Sequence, residues 1–335
     1  MRYRSMEIAK AVVLAGAYSG PTIWPSVGFA ARQLAPVANR PVLFHHLDAV
    51  AGAGVRQAAV VTDATTGSSI REALGDGSEW GLELIHVEDD GPFDPFASRV
   101  VAEFVGTAPV LVHHGDVLLR EQLSALKDDF ADRGLDALLL RPGALDMNEA
   151  HVRYAGLLIG TGLFPELRRG APELDDRLRR LTAGGARIGV REVDACLPCR
   201  GGAEQLLEAN RRMLEQLRPA HRGERVFGSQ IQGPVALHPS ADVRNSIIRG
   251  PAAIGPGARI ADTYVGPYTS IGANVELEGI EIEHSIVLDG ARMRFLASRV
   301  EGSLIGPRAR VTRDFDMPRA VRLAIGEGAH VSFAA

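Results

Sequence analysis

The chain has 335 residues, beyond the usual size of a single core, so two domains are expected. With 46% apolar and 23% charged residues it is not a disordered chain, and no apolar run reaches membrane-spanning length. A net charge of −4 without a basic block argues against nucleic acid as a partner, and the opening residues MRYRSMEIAK lack the apolar stretch of a signal peptide, which makes the cytoplasm the expected compartment.

Taken in chain order, residues 11–16 (AVVLAG) read as a buried strand entering a turn. Residues 41–53 read as a helix with Val42, Leu43, His46, Leu47 and Val50 on its packing face. Strands are expected at 57–62, 83–87, 109–113, 136–140 and 156–159, with helices at 68–74 and 121–133. Alternating strands and helices imply a mostly parallel, Rossmann-like α/β sheet with helices on both faces. Ligands of such sheets bind beyond the carboxyl ends of the strands, which singles out the loops after Leu14 and after His113.

Near residue 220 the pattern changes. Ile248, Ile254 and Ile260 are spaced by six, and Val265, Ile271 and Leu277 form a second such set after a step of five. Ile282, Leu288, Ile305 and Val311 continue the series, often with Gly or Pro following the apolar residue. A Gly-rich loop region and a β-sandwich are the alternatives. Self-similarity over several coils instead points to a parallel β-helix of hexapeptide repeats, each apolar residue facing inward. The expected domains are therefore 1–220 (α/β) and 221–335 (β-helix), the latter an assembly surface for a homo-oligomer.

Several segments resemble the long-form glucose-1-phosphate thymidylyltransferases, within the sugar-1-phosphate nucleotidyltransferase family. They are Val13-Leu14-Ala15-Gly16, residues 33–41 (QLAPVANRP), 73–81 (ALGDGSEWG), Gly115-Asp116, 206–211 (LLEANR) and 266–272 (GPYTSIG). The resemblance spans nearly the whole chain. It implies a nucleotidyltransferase domain followed by a left-handed β-helix. It also implies a reaction in which a sugar 1-phosphate oxygen attacks the α-phosphorus of a nucleoside triphosphate and pyrophosphate leaves. Such a protein positions two polyanions and neutralises their charge with Arg, Lys and Mg²⁺. Carried over by position, Leu14, Ala15, Gly16, Gly115 and Glu88 fall on the nucleotide. Arg32 and Asp116 fall on catalytic positions, and Asp116 and Cys199 on the two Mg²⁺-ligand positions.

The chain departs from that pattern in its charge-neutralising parts. The loop from Gly16 reads AYSGPTIWP and carries no basic residue before Arg32, where the family has an Arg that stabilises the transition state. Arg32 replaces a family Lys, and neither Lys10 nor Lys127, the only lysines, falls on the family's second Lys position. Only 15 residues separate Leu140 from Gly156, where the family carries a longer excursion. Cys199 replaces a carboxylate, a soft ligand for a hard cation. Glu88, Asp89 and Asp90 put carboxylates where the family contacts the base. These departures imply that the ancestral transfer is lost and that the chain binds a nucleotide or nucleotide sugar, as a regulatory or repurposed protein, with an active paralogue as a further expected partner. An active transferase with unusual substrates and Mg²⁺, or a metal enzyme of other chemistry built on Asp116 and Cys199, are the alternatives.

The remaining chemistry-bearing residues have plainer readings beside them. Cys196 and Cys199 form a Cys-x-x-Cys pair that suits Zn²⁺ with Asp116 and a His, or a reversible disulfide, or simple gap filling. His113 and His114 end a buried strand and so point to opposite faces; a structural role is favoured for each. Tyr18 and Trp24 suit either stacking on a ligand or filling a vacated site. Residues 88–94 read as a solvated acidic loop, and Arg168, Arg169, Arg177, Arg179 and Arg180 as a solvated helix face.

Overall fold

The computed structural model describes residues 7–16, 31–89, 94–143, 154–169, 173–196, 202–217, 220–221 and 225–313. The chain divides into two compact units: Met1–Gly20, Ala30–Leu34 and Val42–Leu197 form one, and Pro21–Phe29, Ala35–Pro41 and Pro198–Ala335 the other. Among the described residues no helix is long and apolar enough to cross a membrane.

The first unit is built on a seven-stranded sheet. In spatial order the strands are Ile188–Val193, Ala137–Pro142, Gly156–Ile159, Val110–His114, Lys10–Leu14, Gln57–Thr62 and Glu83–Glu88. Only Gly156–Ile159 runs antiparallel to its neighbours. The helices are α1 (Val42–Gly52), α2 (Gly67–Leu74), α3 (Arg99–Val105), α4 (Leu123–Asp132), α5 (Leu163–Leu167) and α6 (Leu174–Ala183).

Alternation along the central strands produces two cores. Ala11, Val13, Val60 and Leu111 face one way and pack with Leu43 and Leu47 of α1, Ile70 of α2 and Phe130 of α4. Val12, Leu14, Val61 and Val112 face the other and pack with Val101 of α3, Phe164 of α5 and Leu178 of α6. The strands are buried on both faces, which is why they read as continuous apolar runs. The expected mostly parallel sheet covered on both sides is present.

The second unit contains the expected left-handed parallel β-helix. Its three sides are parallel sheets of six, six and five short strands. Asp242 pairs with Arg259 and Arg259 with Glu276, so a coil takes 17 residues, two steps of six and one of five. Ile248, Ile254, Ile260, Val265, Ile271, Leu277 and Ile282 all point into one core. The series shifts twice: Ile271 is followed in its column by Val287, not Leu288, because that step is one residue shorter, and the next step, Val287 to Ile305, is one residue longer. Left-handed backbone marks one corner, at Asn245, Asp262, Gly279 and Phe295, with φ of 46°, 50°, 62° and 52°. Asn, Asp and Gly adopt this region at least cost, which accounts for three of the four residues; Phe295 is the exception.

Helix α7 (Ala203–Glu215) also belongs to this unit and carries a fully buried amide. Asn210 Oδ1 accepts from the Ala38 N–H at 2.9 Å and the Ser270 hydroxyl at 2.7 Å, and its Nδ2 donates to the Tyr268 carbonyl at 3.0 Å. Pro36–Val37 and Arg40–Pro41 pair as a tight hairpin whose turn residues, Ala38 and Asn39, both have positive φ. Asn39 Nδ2 donates to the Ile271 carbonyl at 2.7 Å. Three of the segments that carry the family resemblance thus meet at one buried asparagine.

Candidate functional site

The site residues of the first unit lie where the central strands end. Leu14 is in register with His114 on one side and Val61 on the other. The Gly115 N–H bonds the Leu14 carbonyl at 2.8 Å, and the Ala15 N–H bonds the Val61 carbonyl at 2.7 Å. A Cβ on Gly115 would come within 3.0 Å of Leu43 Cδ1 and 3.3 Å of the Leu14 carbonyl, so glycine lets this turn lie flat on the strand end. Asp116 follows it, fully buried.

A short 3₁₀ turn, Arg32–Leu34, supplies the opposing groups. Gln33 is buried and its Nε2 donates to the Gly16 carbonyl at 2.8 Å, which ties the turn to the loop after the first strand. Arg32 faces Asp116 with Nη2 3.6 Å from Oδ2, and these side chains are 12% and 0% exposed. Leu14, Ala15, Gly16, Arg32, Gly115 and Asp116 therefore gather at one sheet edge. These are residues that the family resemblance singles out; Gln33, which ties the 3₁₀ turn to Gly16, is not among them.

Glu88 stands apart. It is in register with Thr62 on the edge strand, two strands from Leu14 or roughly 10 Å at ordinary strand spacing. Its carboxylate turns toward the start of α2: a Cβ on Gly67 would lie 3.6 Å from Glu88 Oε2. An exposed carboxylate beside a helix N-terminus is favourably placed without any ligand.

His113 faces α1 and is buried against His46, their ring centroids 4.2 Å apart. Its Nδ1 donates to the His114 carbonyl at 2.8 Å, which leaves Nε2 as a buried lone pair with no partner. His46 Nε2 is likewise buried without a partner. A Cβ on Gly156 would lie 2.9 Å from His113 Cδ2, so this glycine makes room for the ring. Burial pushes His113 down to about 4 and holds His46 well below the ordinary imidazole range. Both imidazoles are neutral and structural.

Among the described residues, no three His, Cys, Asp or Glu side chains come together as a metal set. Cys196 sits in the Ala195–Cys196 strand, paired antiparallel with Leu118 just beyond Asp116. Cys199, Tyr18, Trp24 and most of the acidic run lie outside the described residues.

Both lysines have structural positions. Lys10 Nζ donates to the Phe104 carbonyl and lies 5.0 Å over the Phe104 ring. Lys127 Nζ donates to the carbonyls of Ala53 and Ile8. The arginine cluster is not uniformly a solvated face. Arg177 is buried and pairs with Asp94 at 2.6 Å, and Arg168 Nε donates to the Phe96 carbonyl at 2.9 Å. Both fix residues 94–96 against the α/β unit. A helix-face periodicity cannot reveal that, because the partner lies 83 residues away in sequence.

Comparison with known proteins agrees with this architecture. Residues 10–148 match the nucleotidyl transferase family. The chain is 31% identical to glucose-1-phosphate thymidylyltransferase of Streptomyces antibioticus, over 96% of this chain and 99% of that one. It is 30% identical to the Streptomyces griseus protein of the same name, over 95% and 98%. It is also 31% identical to the low-salt glycan biosynthesis nucleotidyltransferase Agl11 of Haloferax volcanii, over 96% and 99%. A crystal structure assigned as a glucose-1-phosphate thymidylyltransferase of Bacillus anthracis, in complex with sucrose, shares the fold at a TM-score of 0.50 and 16% identity, over 63% of this chain and 97% of that one. Nearly full-length alignment at this identity, on a sheet whose strand ends gather the expected residues, means that the chain belongs to the sugar-1-phosphate nucleotidyltransferase family.

Proposed function

We propose that this chain binds a nucleotide or nucleotide sugar at the carboxyl edge of its α/β sheet and does not transfer a nucleotidyl group. The observation that carries this reading is the counter-charge of Asp116, a guanidinium 3.6 Å away. The family works with Mg²⁺, which demands a near-octahedral set of oxygens. The described residues do not fit that ion: Asp116, the carboxylate that would hold it, is buried and already faces a fixed cation. The lysines supply no substitute, since each is bonded to backbone carbonyls.

What remains is a binding edge. Gln33 donates to the Gly16 carbonyl, which ties the 3₁₀ turn to the end of the first strand. Arg32 offers a planar fork that suits phosphate oxygens. These groups hold a phosphate-bearing ligand; they do not neutralise a pentacoordinate transition state, which needs several cations at once.

A second reading, active transfer on unusual substrates, is favoured by one observation: Arg32, Asp116 and Gly16 share a single sheet edge in a chain that aligns with thymidylyltransferases almost end to end. One assay separates the two. Pyrophosphate release is measured with a panel of nucleoside triphosphates and sugar 1-phosphates in Mg²⁺, Mn²⁺ or Zn²⁺, beside calorimetric titration of the same nucleotides and their sugar diphosphate esters. Binding without turnover is expected. Turnover that Asp116→Asn abolishes refutes the proposal and establishes the second reading.

A further inference from the structure

We infer that Arg32 takes the place of the divalent cation at Asp116, so that this chain accepts phosphate-bearing ligands in their metal-free form. The ligand half of this inference rests on the nucleotide-binding reading above; the counter-ion half stands on Arg32 and Asp116 alone.

A carboxylate taken fully out of water must have its charge met. Asp116 is 0% exposed, and the cation that meets it is a guanidinium whose own side chain is 12% exposed. That cation is permanent, because arginine does not deprotonate in proteins. Its root is also fixed. The Leu34 N–H bonds the Ala31 carbonyl at 3.0 Å across the 3₁₀ turn, and the adjacent Gln33 is buried and bonded to Gly16. A divalent ion bound to the same carboxylate would sit against this fixed positive charge.

His113, three residues before Asp116, spends Nδ1 on the His114 carbonyl and lays its ring against His46. Among the described residues Asp116 belongs to no group of three His, Cys, Asp or Glu side chains. A guanidinium, by contrast, can hold a carboxylate and a phosphate together, since its five N–H donors lie along separate edges of one plane. The arrangement therefore exchanges a mobile dication shared with the ligand for a resident monocation. Mg²⁺ then becomes a competitor, because it lowers the charge of the phosphate that Arg32 would grip.

The test uses the full-length protein and two probes. Free Mn²⁺ is followed by electron paramagnetic resonance in the wild type, Asp116→Asn and Arg32→Met, with circular dichroism as the check on folding. The wild type is expected to take up no more Mn²⁺ than Asp116→Asn, and Arg32→Met to gain a site that Arg32→Met/Asp116→Asn lacks. Stoichiometric Mn²⁺ in the wild type that Asp116→Asn removes overturns the inference, and this arm needs no variant at Arg32. Inorganic pyrophosphate is then titrated by calorimetry in EDTA and in excess Mg²⁺. Affinity is expected to be equal or weaker in Mg²⁺, and to fall about tenfold or more in Arg32→Met, the usual cost of losing a charged hydrogen-bond donor. Tightening of about tenfold by Mg²⁺, lost in Asp116→Asn, overturns it. A protein that binds neither pyrophosphate nor any nucleotide in either buffer refutes the nucleotide-binding reading and the ligand half with it, while the Mn²⁺ arm still decides the counter-ion half.

Discussion

Mild acid should destabilise the first unit through the buried imidazoles of His46 and His113, and a single substitution should remove part of the effect. The two rings are 3% and 1% exposed and tilted 34° to one another. Burial is the largest influence on each. His113 also faces His114, which lowers it, and Asp116 and the His114 carbonyl, which raise it; His46 faces His113 and His114, which both lower it. Both are therefore neutral in the folded chain, whereas an unfolded imidazole titrates near 6.5. Below that pH the unfolded chain takes up protons that the folded chain refuses. The stability these groups contribute is complete above about 6.5 and is lost as the pH falls from there toward 4. For His113, a shift from 6.5 to about 4 implies a loss of roughly 2 kcal/mol at pH 5, and about 3 kcal/mol at pH 4. His46→Phe keeps an aromatic ring on α1 and removes a buried nitrogen that has no partner. Calorimetric melting and urea unfolding at pH 7.5 and pH 5 are the assays. The variant should match or exceed the wild type at pH 7.5 and lose distinctly less stability on going to pH 5. Carboxylate titration affects both proteins alike and drops out of the comparison. Equal losses in the two proteins, or a variant weakened by about 2 kcal/mol or more at pH 7.5, as if a hydrogen-bonded histidine had been removed, would refute the reasoning.

Asn210→Ala removes all three bonds of the buried amide and leaves the Ala38 N–H, the Ser270 hydroxyl and the Tyr268 carbonyl without their partner. A loss of about 2–4 kcal/mol is expected in urea unfolding, with Asn210→Asp only partly tolerated because a carboxylate cannot donate to Tyr268. Arg177→Met strands Asp94, which is 21% exposed and so partly rehydrated, and should cost about 2–3 kcal/mol. Adding Asp94→Asn to that variant should restore most of the loss, which a double-mutant cycle reads directly.

Much of the architecture follows from periodicity. Continuous apolar strands separated by helices specify a sheet buried on both faces, and each expected strand is found within a residue or two; the edge strand Ile188–Val193, with its polar alternation, is not anticipated by the apolar runs. Steps of six, six and five in the apolar series give the 17-residue coil of the β-helix. What periodicity cannot carry is strand direction: Gly156–Ile159 reads like its neighbours and runs against them. It also cannot place the one shortened coil, which brings Val287 rather than Leu288 into the column. The candidate site is legible in part: such a sheet places ligands at the carboxyl ends of its strands, which singles out the loops after Leu14 and His113, while the individual residues Leu14, Ala15, Gly16, Gly115 and Asp116 are named by the family resemblance. The pairings across long sequence distance were not legible. Nothing in the local pattern of Arg32, Arg177 or Lys127 says which acid or carbonyl each will meet.

The segments that make the family resemblance plain are largely not the ones that do chemistry. Residues 33–41, 206–211 and 266–272 meet at Asn210, where the hairpin at Ala38, the helix α7 and the β-helix turn at Tyr268 share one set of hydrogen bonds. In 73–81, Trp80 packs edge-on against Phe44 of α1 at 4.9 Å, and Gly77 sits where a Cβ would strike Leu84 and the Leu82 carbonyl. Each of these is a packing or hydrogen-bonding requirement that persists whatever the ligand. Transfer chemistry instead depends on how many cations face the reacting phosphates, and that number can change without disturbing any of these contacts. A 31% identity over nearly the whole chain therefore argues for the architecture, while the reaction turns on a few charges, above all on whether Asp116 faces a metal ion or the guanidinium of Arg32.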